Sequence, residues 1–196
     1  MTKPTLTYFN GRGLGEVTRL ILTFVNVEFN DVRVDKIPDE LKATLPFGQL
    51  PLFEDGIVRL AQSSSIARYV ANKHNFAGAN AAEKALADSF VDSASDVITP
   101  YRNATDDAKK EKFRTETLPK FLAIWEKTLT ANGGKHFVGA NYTWADVAIY
   151  NALYVLSING YEDVIKSHTT VQGFSAAFEA VPQIAAYLKV RPASQF

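Results

Sequence analysis

Two hydrophobic rhythms alternate along the first seventy-odd residues. Leu6 and Tyr8 alternate with polar neighbours, which predicts a strand from about Lys3 to Phe9. After the flexible turn Asn10-Gly11-Arg12-Gly13 the period changes. Val17, Leu20, Ile21 and Phe24 fall at helical spacing and predict a helix from about Leu14 to Phe24, with Glu16 and Arg19 paired on its outer face. A second strand is expected near Glu28–Val34 and a short helix near Asp39–Ala43. Phe47-Gly-Gln-Leu-Pro-Leu-Phe53 then reads as a bend into a short buried strand. The Asp55-Gly56 pair should supply the positive-φ residues of a tight hairpin. Pro51 stands at the strand entrance, so either its missing N–H faces an edge or its peptide bond is cis. Gln62-Ser63 opens a helix whose Ile66, Tyr69 and Val70 share one face. The order predicts a small α/β layer with a right-handed crossover between its parallel strands.

Beyond the loop Asn75–Asn80 no segment reads as a strand. Helical patterns are expected over about Ala81–Asn103 and Ala108–Asn132, the second ended by Gly133-Gly134. Leu118, Phe121, Leu122, Trp125 and Leu129 form one stripe of the second helix, which Pro119 should bend or restart. Residues 1–76 are therefore expected to form the α/β domain, 77–81 a linker, and 82–196 an all-helical domain. Thr143-Trp-Ala-Asp146 is close to a capping box with Asp in place of Glu, opening the apolar run Val147–Leu156, with Tyr142 and Val147 placed as a hydrophobic staple. Losing that cap should cost about 0.5–2 kcal/mol, and Trp144 belongs to the core.

Composition narrows the function. The 196 residues are 46% hydrophobic, with 21 basic against 21 acidic side chains and no cysteine. Zero net charge offers no electrostatic argument for a nucleic acid or an anionic membrane surface. Thiolate nucleophiles and disulfides are excluded. No apolar run approaches the roughly 20 residues of a membrane-spanning helix, so a cytoplasmic location is expected. His74, His136 and His168 show no ligand spacing, and no metal site is assigned. Gly11-x-Gly13-x-Gly15 suggests a dinucleotide loop, but the third glycine of that motif would fall at Glu16, whose charge would oppose a pyrophosphate. Gln62-Ser63 at a helix N-terminus is either an ordinary cap or a seat for a carboxylate. Tyr8, on periodicity alone, reads as a core aromatic.

Taken together, Tyr8-Phe-Asn-Gly-Arg-Gly13 with Glu16 and Arg19, Phe47-Gly-Gln-Leu-Pro51, Gln62-Ser63 with Ile66-Ala-Arg-Tyr69, and Val138-Gly-Ala-Asn-Tyr-Thr-Trp-Ala-Asp146 resemble a cytosolic glutathione S-transferase. The likeness runs from Leu6 to the C-terminus and is greatest to the sigma class, which includes glutathione-dependent prostaglandin D synthases. It implies a thioredoxin-like α/β N-terminal domain, an all-α C-terminal domain, a homodimer, glutathione as co-substrate without a metal, and small hydrophobic electrophiles as acceptors.

The resemblance also implies roles. Tyr8 would donate its hydroxyl hydrogen to the glutathione sulfur. A thiol of pKa about 8.5 is only a few per cent thiolate at pH 7, and a hydrogen bond to the anion, worth roughly 1.5–3 kcal/mol, lowers that pKa by about one to two units. Gln62 and Ser63 would hold the γ-glutamyl carboxylate. The backbone of Leu50, turned by a cis Pro51, would pair with the cysteinyl portion like an added strand. Gln49 lies beside it, Lys42 matches a lysine that pairs with the glycyl carboxylate, and Asp96 would reach the glutamyl amine across the dimer. Phe47 either inserts into the partner subunit or packs locally. The electrophile would sit between the turn after Tyr8 and the helical domain, near Tyr101, Arg102 and the C-terminal end.

Departures from the family pattern accompany these roles. Leu14 stands where many sigma enzymes have an arginine that tunes the tyrosine, and Pro38 where a tryptophan helps to hold the glycyl end. Asp92, Ser95 and Asp96 form only part of an acidic metal-sensing cluster, and Asn103 replaces a prostaglandin-pocket aromatic. The acidic-cluster and Asn103 gaps argue against one alternative, a prostaglandin-synthase-like isomerase. The other is a non-catalytic ligand-binding or structural relative such as an S-crystallin, against which the compact helical half without an insertion and the single methionine count.

Overall fold

One mixed sheet carries the first part of the chain, in the strand order β2-β1-β3-β4. In the computed structural model, which describes residues 2–194, β1 (Thr5–Phe9) runs parallel to β2 (Asn30–Val34) and antiparallel to β3 (Leu52–Glu54). β4 (Arg59–Ala61) completes the hairpin with β3. Helix α1 (Glu16–Phe24), entered through the tight turn Gly13–Gly15, crosses between the parallel strands. It buries Leu20, Ile21 and Leu22 completely. α2 (Asp39–Lys42) precedes the hairpin and α3 (Ser63–Lys73) follows it.

Glu16 and Arg19 are not on an outer face, as the helical pattern suggested; both are fully buried. Arg19 Nε donates to Asp31 at 2.8 Å, and its Nη1 donates to the Gly11 carbonyl at 2.7 Å and faces Glu16 at 3.3 Å. The cover comes from the far end of the chain. Helix α10 (Pro182–Val190) packs on α1, and Tyr187 and Arg191 both donate to Glu16 Oε1. Gln183 adds a hydrogen bond to the Phe24 carbonyl at 2.9 Å. Buried charges persist only when paired in this way. The chain accordingly divides into one unit that runs to His74 and resumes at Pro182, and a second that spans Asn75–Val181. The expected domain 82–196 placed that last helix with the helical half.

The hairpin turn also differs from expectation. Gly56 alone takes a positive φ, +85°, and the turn is held by Asp55. Its carboxylate accepts from the N–H groups of Ile57 and Val58, both at 3.0 Å, from the Tyr69 hydroxyl at 2.7 Å and from Lys73 at 2.5 Å. Burial alone would raise this carboxyl, but the Lys73 ammonium and the other donors outweigh it and hold the group well below the usual carboxylate range. A depressed native pKa means that the stabilisation is complete above the unfolded value of about 3.9 and is lost as pH falls below it. Asp55→Asn is therefore expected to cost about 1–3 kcal/mol at pH 7 and progressively less in acid. Urea unfolding of both proteins at pH 7 and pH 3 checks this; a deficit that does not shrink in acid would refute the linkage.

The second unit is helical throughout its described elements. α4 (Ala81–Asn103) is capped by Asn80, which accepts from the Glu83 N–H at 3.0 Å. α5 (Asp107–Lys112) runs into α6 (Leu118–Ala131) through one widened turn, in which the Leu118 N–H reaches back five residues to the Phe113 carbonyl. Pro119 accounts for it: a proline has no N–H to return to the preceding turn and its ring crowds the carbonyl four residues back. α7 (Trp144–Leu156) is buried on nearly every face, and its first turn carries the expected capping box of Thr143 and Asp146. α8 (Glu162–Lys166) and α9 (Thr169–Glu179) follow. Glu126 of α6 caps α9, accepting from Thr170 N–H and Val171 N–H at 2.9 Å each.

Candidate active site

Strand register gathers the sequence-predicted residues. Thr7 pairs with Leu52, and Leu52 with Ala61. One step further along each antiparallel strand therefore brings Tyr8, Pro51 and Gln62 to the same end of three adjacent strands. Leu50 lies in one apolar cluster with Tyr8, Leu45 and Leu52, and the Leu50–Pro51 bond is cis.

Tyr8 is 7% exposed, and its hydroxyl oxygen accepts from the Leu14 N–H at 3.0 Å. With that lone pair engaged, the hydroxyl hydrogen is available to a second partner. The contact requires the turn to pass very close to the ring. A Cβ on Gly13, whose φ is +40°, would lie 2.6 Å from Tyr8 Oη, and one on Gly15 would lie 3.0 Å from the ring. Arg19 fixes the same turn through the Gly11 carbonyl and sits 5.8 Å from the Tyr8 ring centroid. Sequence reasoning gave these three contributors no role at the tyrosine, although Gly13 and Arg19 stand in the motif that carries the resemblance and Gly15 ends the Gly11-x-Gly13-x-Gly15 spacing. At position 14 the tyrosine is met by the backbone N–H, a contact that does not depend on the leucine side chain, which is 42% exposed.

Gln62 takes φ +71°, a conformation that costs a non-glycine residue about 1–3 kcal/mol, and its side chain does not cap α3. Asn80, Asp106 and Thr143 do accept from the first turns of their own helices. The first-turn N–H groups of α3, with Ser63 among them, are thus left for a carboxylate or solvent. Lys42 is exposed at the end of α2, and Gln49 is exposed beside Leu50. Asp96 is exposed on α4, within the other unit, and Tyr101 packs edge-on against Tyr161. Among the described residues no three His, Asp or Glu side chains form a group that could hold a metal ion. No helix among them is long and apolar enough to cross a membrane.

A thioredoxin-like α/β layer joined to an all-helical unit is the architecture of solved glutathione S-transferases. Residues 4–72 match the family model for the glutathione S-transferase N-terminal domain, and residues 92–191 that for its C-terminal domain. The chain belongs to the glutathione S-transferase family. It is 35% identical over 203 residues to glutathione S-transferase 4 of Caenorhabditis elegans, covering 97% of this chain and 98% of that one. The hematopoietic prostaglandin D synthase of Gallus gallus is 33% identical over 200 residues, with 98% of each chain covered. A Nu-class transferase structure from Haemonchus contortus superposes with a TM-score of 0.91 at 31% identity, covering 100% of both chains.

Proposed function

We propose that this protein conjugates reduced glutathione to small hydrophobic electrophiles, with Tyr8 stabilising the thiolate. The observation that carries the reading is the Leu14 N–H donated to Tyr8 Oη at 3.0 Å, which aims the phenolic hydrogen away from the turn. In this reading that hydrogen meets the glutathione sulfur, and the anion so stabilised attacks the electrophilic carbon and expels its leaving group. Gln62 and Ser63 hold the γ-glutamyl carboxylate against the uncapped start of α3, where the helix dipole favours negative charge. The Leu50 backbone beside cis-Pro51 pairs with the cysteinyl portion, flanked by Gln49. Lys42 takes the glycyl carboxylate, and Asp96 of a partner subunit takes the glutamyl amine. A sigma-like, cytoplasmic homodimer acting in detoxification completes the proposal. The prostaglandin D synthase relative supports an isomerase as the second reading; Asn103 in place of a pocket aromatic weighs against it.

The test is steady-state conjugation to a chloronitrobenzene acceptor while glutathione is varied. Gln62→Ala and Ser63→Ala should each raise the KM for glutathione about ten-fold, the equivalent of one charge-assisted hydrogen bond, and change kcat far less. An unaltered KM in both variants would remove the carboxylate from this helix end. An inactive native protein that still binds glutathione would favour the isomerase or the non-catalytic binding relative.

A further inference from the structure

We propose a second ligand site, for small arylalkyl ammonium compounds, in the cleft between α7, α8 and α9 of the helical unit. The cleft holds about 250 Å³, below the usual span of drug-sized pockets, so it suits one ring with a short side chain. Its floor is apolar: Leu153 and Ile165 are buried there, and Ile158, 48% exposed, stands at the rim. Tyr150 and Tyr154 line one side, with ring centroids 6.1 Å apart and planes inclined at 46°. Tyr150 is buried and stacked on Phe178 at 4.6 Å, so Tyr154 supplies the open ring, which beside an apolar floor favours an aromatic body and, through its negative π face, a cation near it.

The polar groups set the sign of the ligand's charge. Glu179 Oε1 accepts from the Tyr150 hydroxyl at 2.9 Å, which holds the carboxylate in place without neutralising it. Among the described residues Glu179 makes no ion pair. Lys166, the cation in the lining, is taken by Glu162 at 2.8 Å. An ammonium group answers the carboxylate, with an N–H to Glu179, while the ring rests against Tyr154 and the apolar floor. Anions are disfavoured, because the cleft presents two carboxylates and only one ammonium. All of these residues lie in the helical unit, whereas Tyr8, Pro51 and Gln62 belong to the other.

The probe is 2-phenylethylamine, titrated calorimetrically into the full chain beside its neutral isostere 2-phenylethanol. Saturable binding of the amine is expected, about ten-fold tighter than the alcohol, since one charge-assisted contact is worth that much. Glu179→Gln should weaken the amine to the level of the alcohol. Ala176→Trp, which fills the cleft from an exposed position of α9, should abolish both. A saturating S-alkylglutathione should leave the amine affinity unchanged. Glutathione binding retained by both variants separates a lost site from a lost fold. The proposal is overturned if the amine fails to saturate at millimolar concentration, if Glu179→Gln binds it as tightly as the native protein, or if the S-alkylglutathione displaces it.

Discussion

Tyr8→Phe is expected to lower kcat/KM for glutathione conjugation by about ten- to a hundred-fold, and to raise the pKa of the bound thiol by about one to two units. Both figures express the same energy. A hydrogen bond to a thiolate contributes roughly 1.5–3 kcal/mol, and each 1.36 kcal/mol is one pKa unit or one decade of rate. The bond serves the charged nucleophile and not the neutral thiol, so the loss should appear as a lower thiolate fraction at pH 7. The acid limb of the pH–rate profile, where the thiol loses its proton, should move to higher pH with it. Ultraviolet titration of the bound thiolate in the two proteins gives the pKa change directly. Stability should change little: the missing oxygen strands the Leu14 N–H at the rim of the site, and the ring that packs against Leu45, Leu50 and Leu52 stays. Equal thiol pKa values in the two proteins would move the activation away from Tyr8, whatever happened to turnover.

Asp146→Ala is expected to destabilise the helical unit by about 3–5 kcal/mol, more than the 0.5–2 kcal/mol of a helix cap. The residue does two jobs with two oxygens. Oδ2 accepts from the Thr143 N–H at 2.7 Å and from the Thr143 hydroxyl at 3.1 Å, while Oδ1 accepts from the Phe137 N–H at 2.9 Å, nine residues back in the chain. The residue is fully buried, so alanine leaves three donors without an acceptor and without water. Asparagine is no rescue, because one of its two ends would point N–H at N–H. Burial pushes this carboxyl up to about 6, against the pull of those donors. A native pKa raised above the unfolded value means that the native state holds the proton more tightly. The advantage of aspartate over alanine is then greatest below about pH 4, shrinks as pH rises to about 6, and is constant above that. Urea unfolding at pH 4 and pH 7 measures both effects. A loss under about 1 kcal/mol at both would reduce Asp146 to a cap.

The capping box was legible because it is local: Thr143 and Asp146 are three residues apart, and their spacing announces the helix start. The same is true of α4, bounded in sequence at Ala81 and Asn103 as in the structure. Pro119 announced a disturbance but not its form, since a kink, a restart and a widened turn all relieve the same missing N–H. Of the candidate site, Tyr8, Leu50, Pro51, Gln62 and Ser63 could be named from motif order, and strand register explains why the motifs stand together. Leu14 is expected to weaken the tuning of Tyr8 because it lacks the arginine's charge, and a side chain is what a sequence displays. The backbone N–H that meets Tyr8 carries no letter of its own.

Hydrophobic period, turn residues, caps and prolines thus determined the element order and the α/β-then-helical architecture, because each acts over one or two turns of chain, and the resemblance carried by the motifs pointed to the family. Tertiary structure decided which polar faces were also interior. Glu16 and Arg19 read as a solvated pair until α10, 171 residues from Glu16 at Tyr187, covers them and supplies Arg191. It likewise assigned that last helix to the first unit and joined Asp146 to Phe137. It also left the start of α3 without the N-cap side-chain bond that α4, α5 and α7 carry. Desolvation depends on everything that comes to surround a group, and no local pattern records what the distant end of the chain will bring.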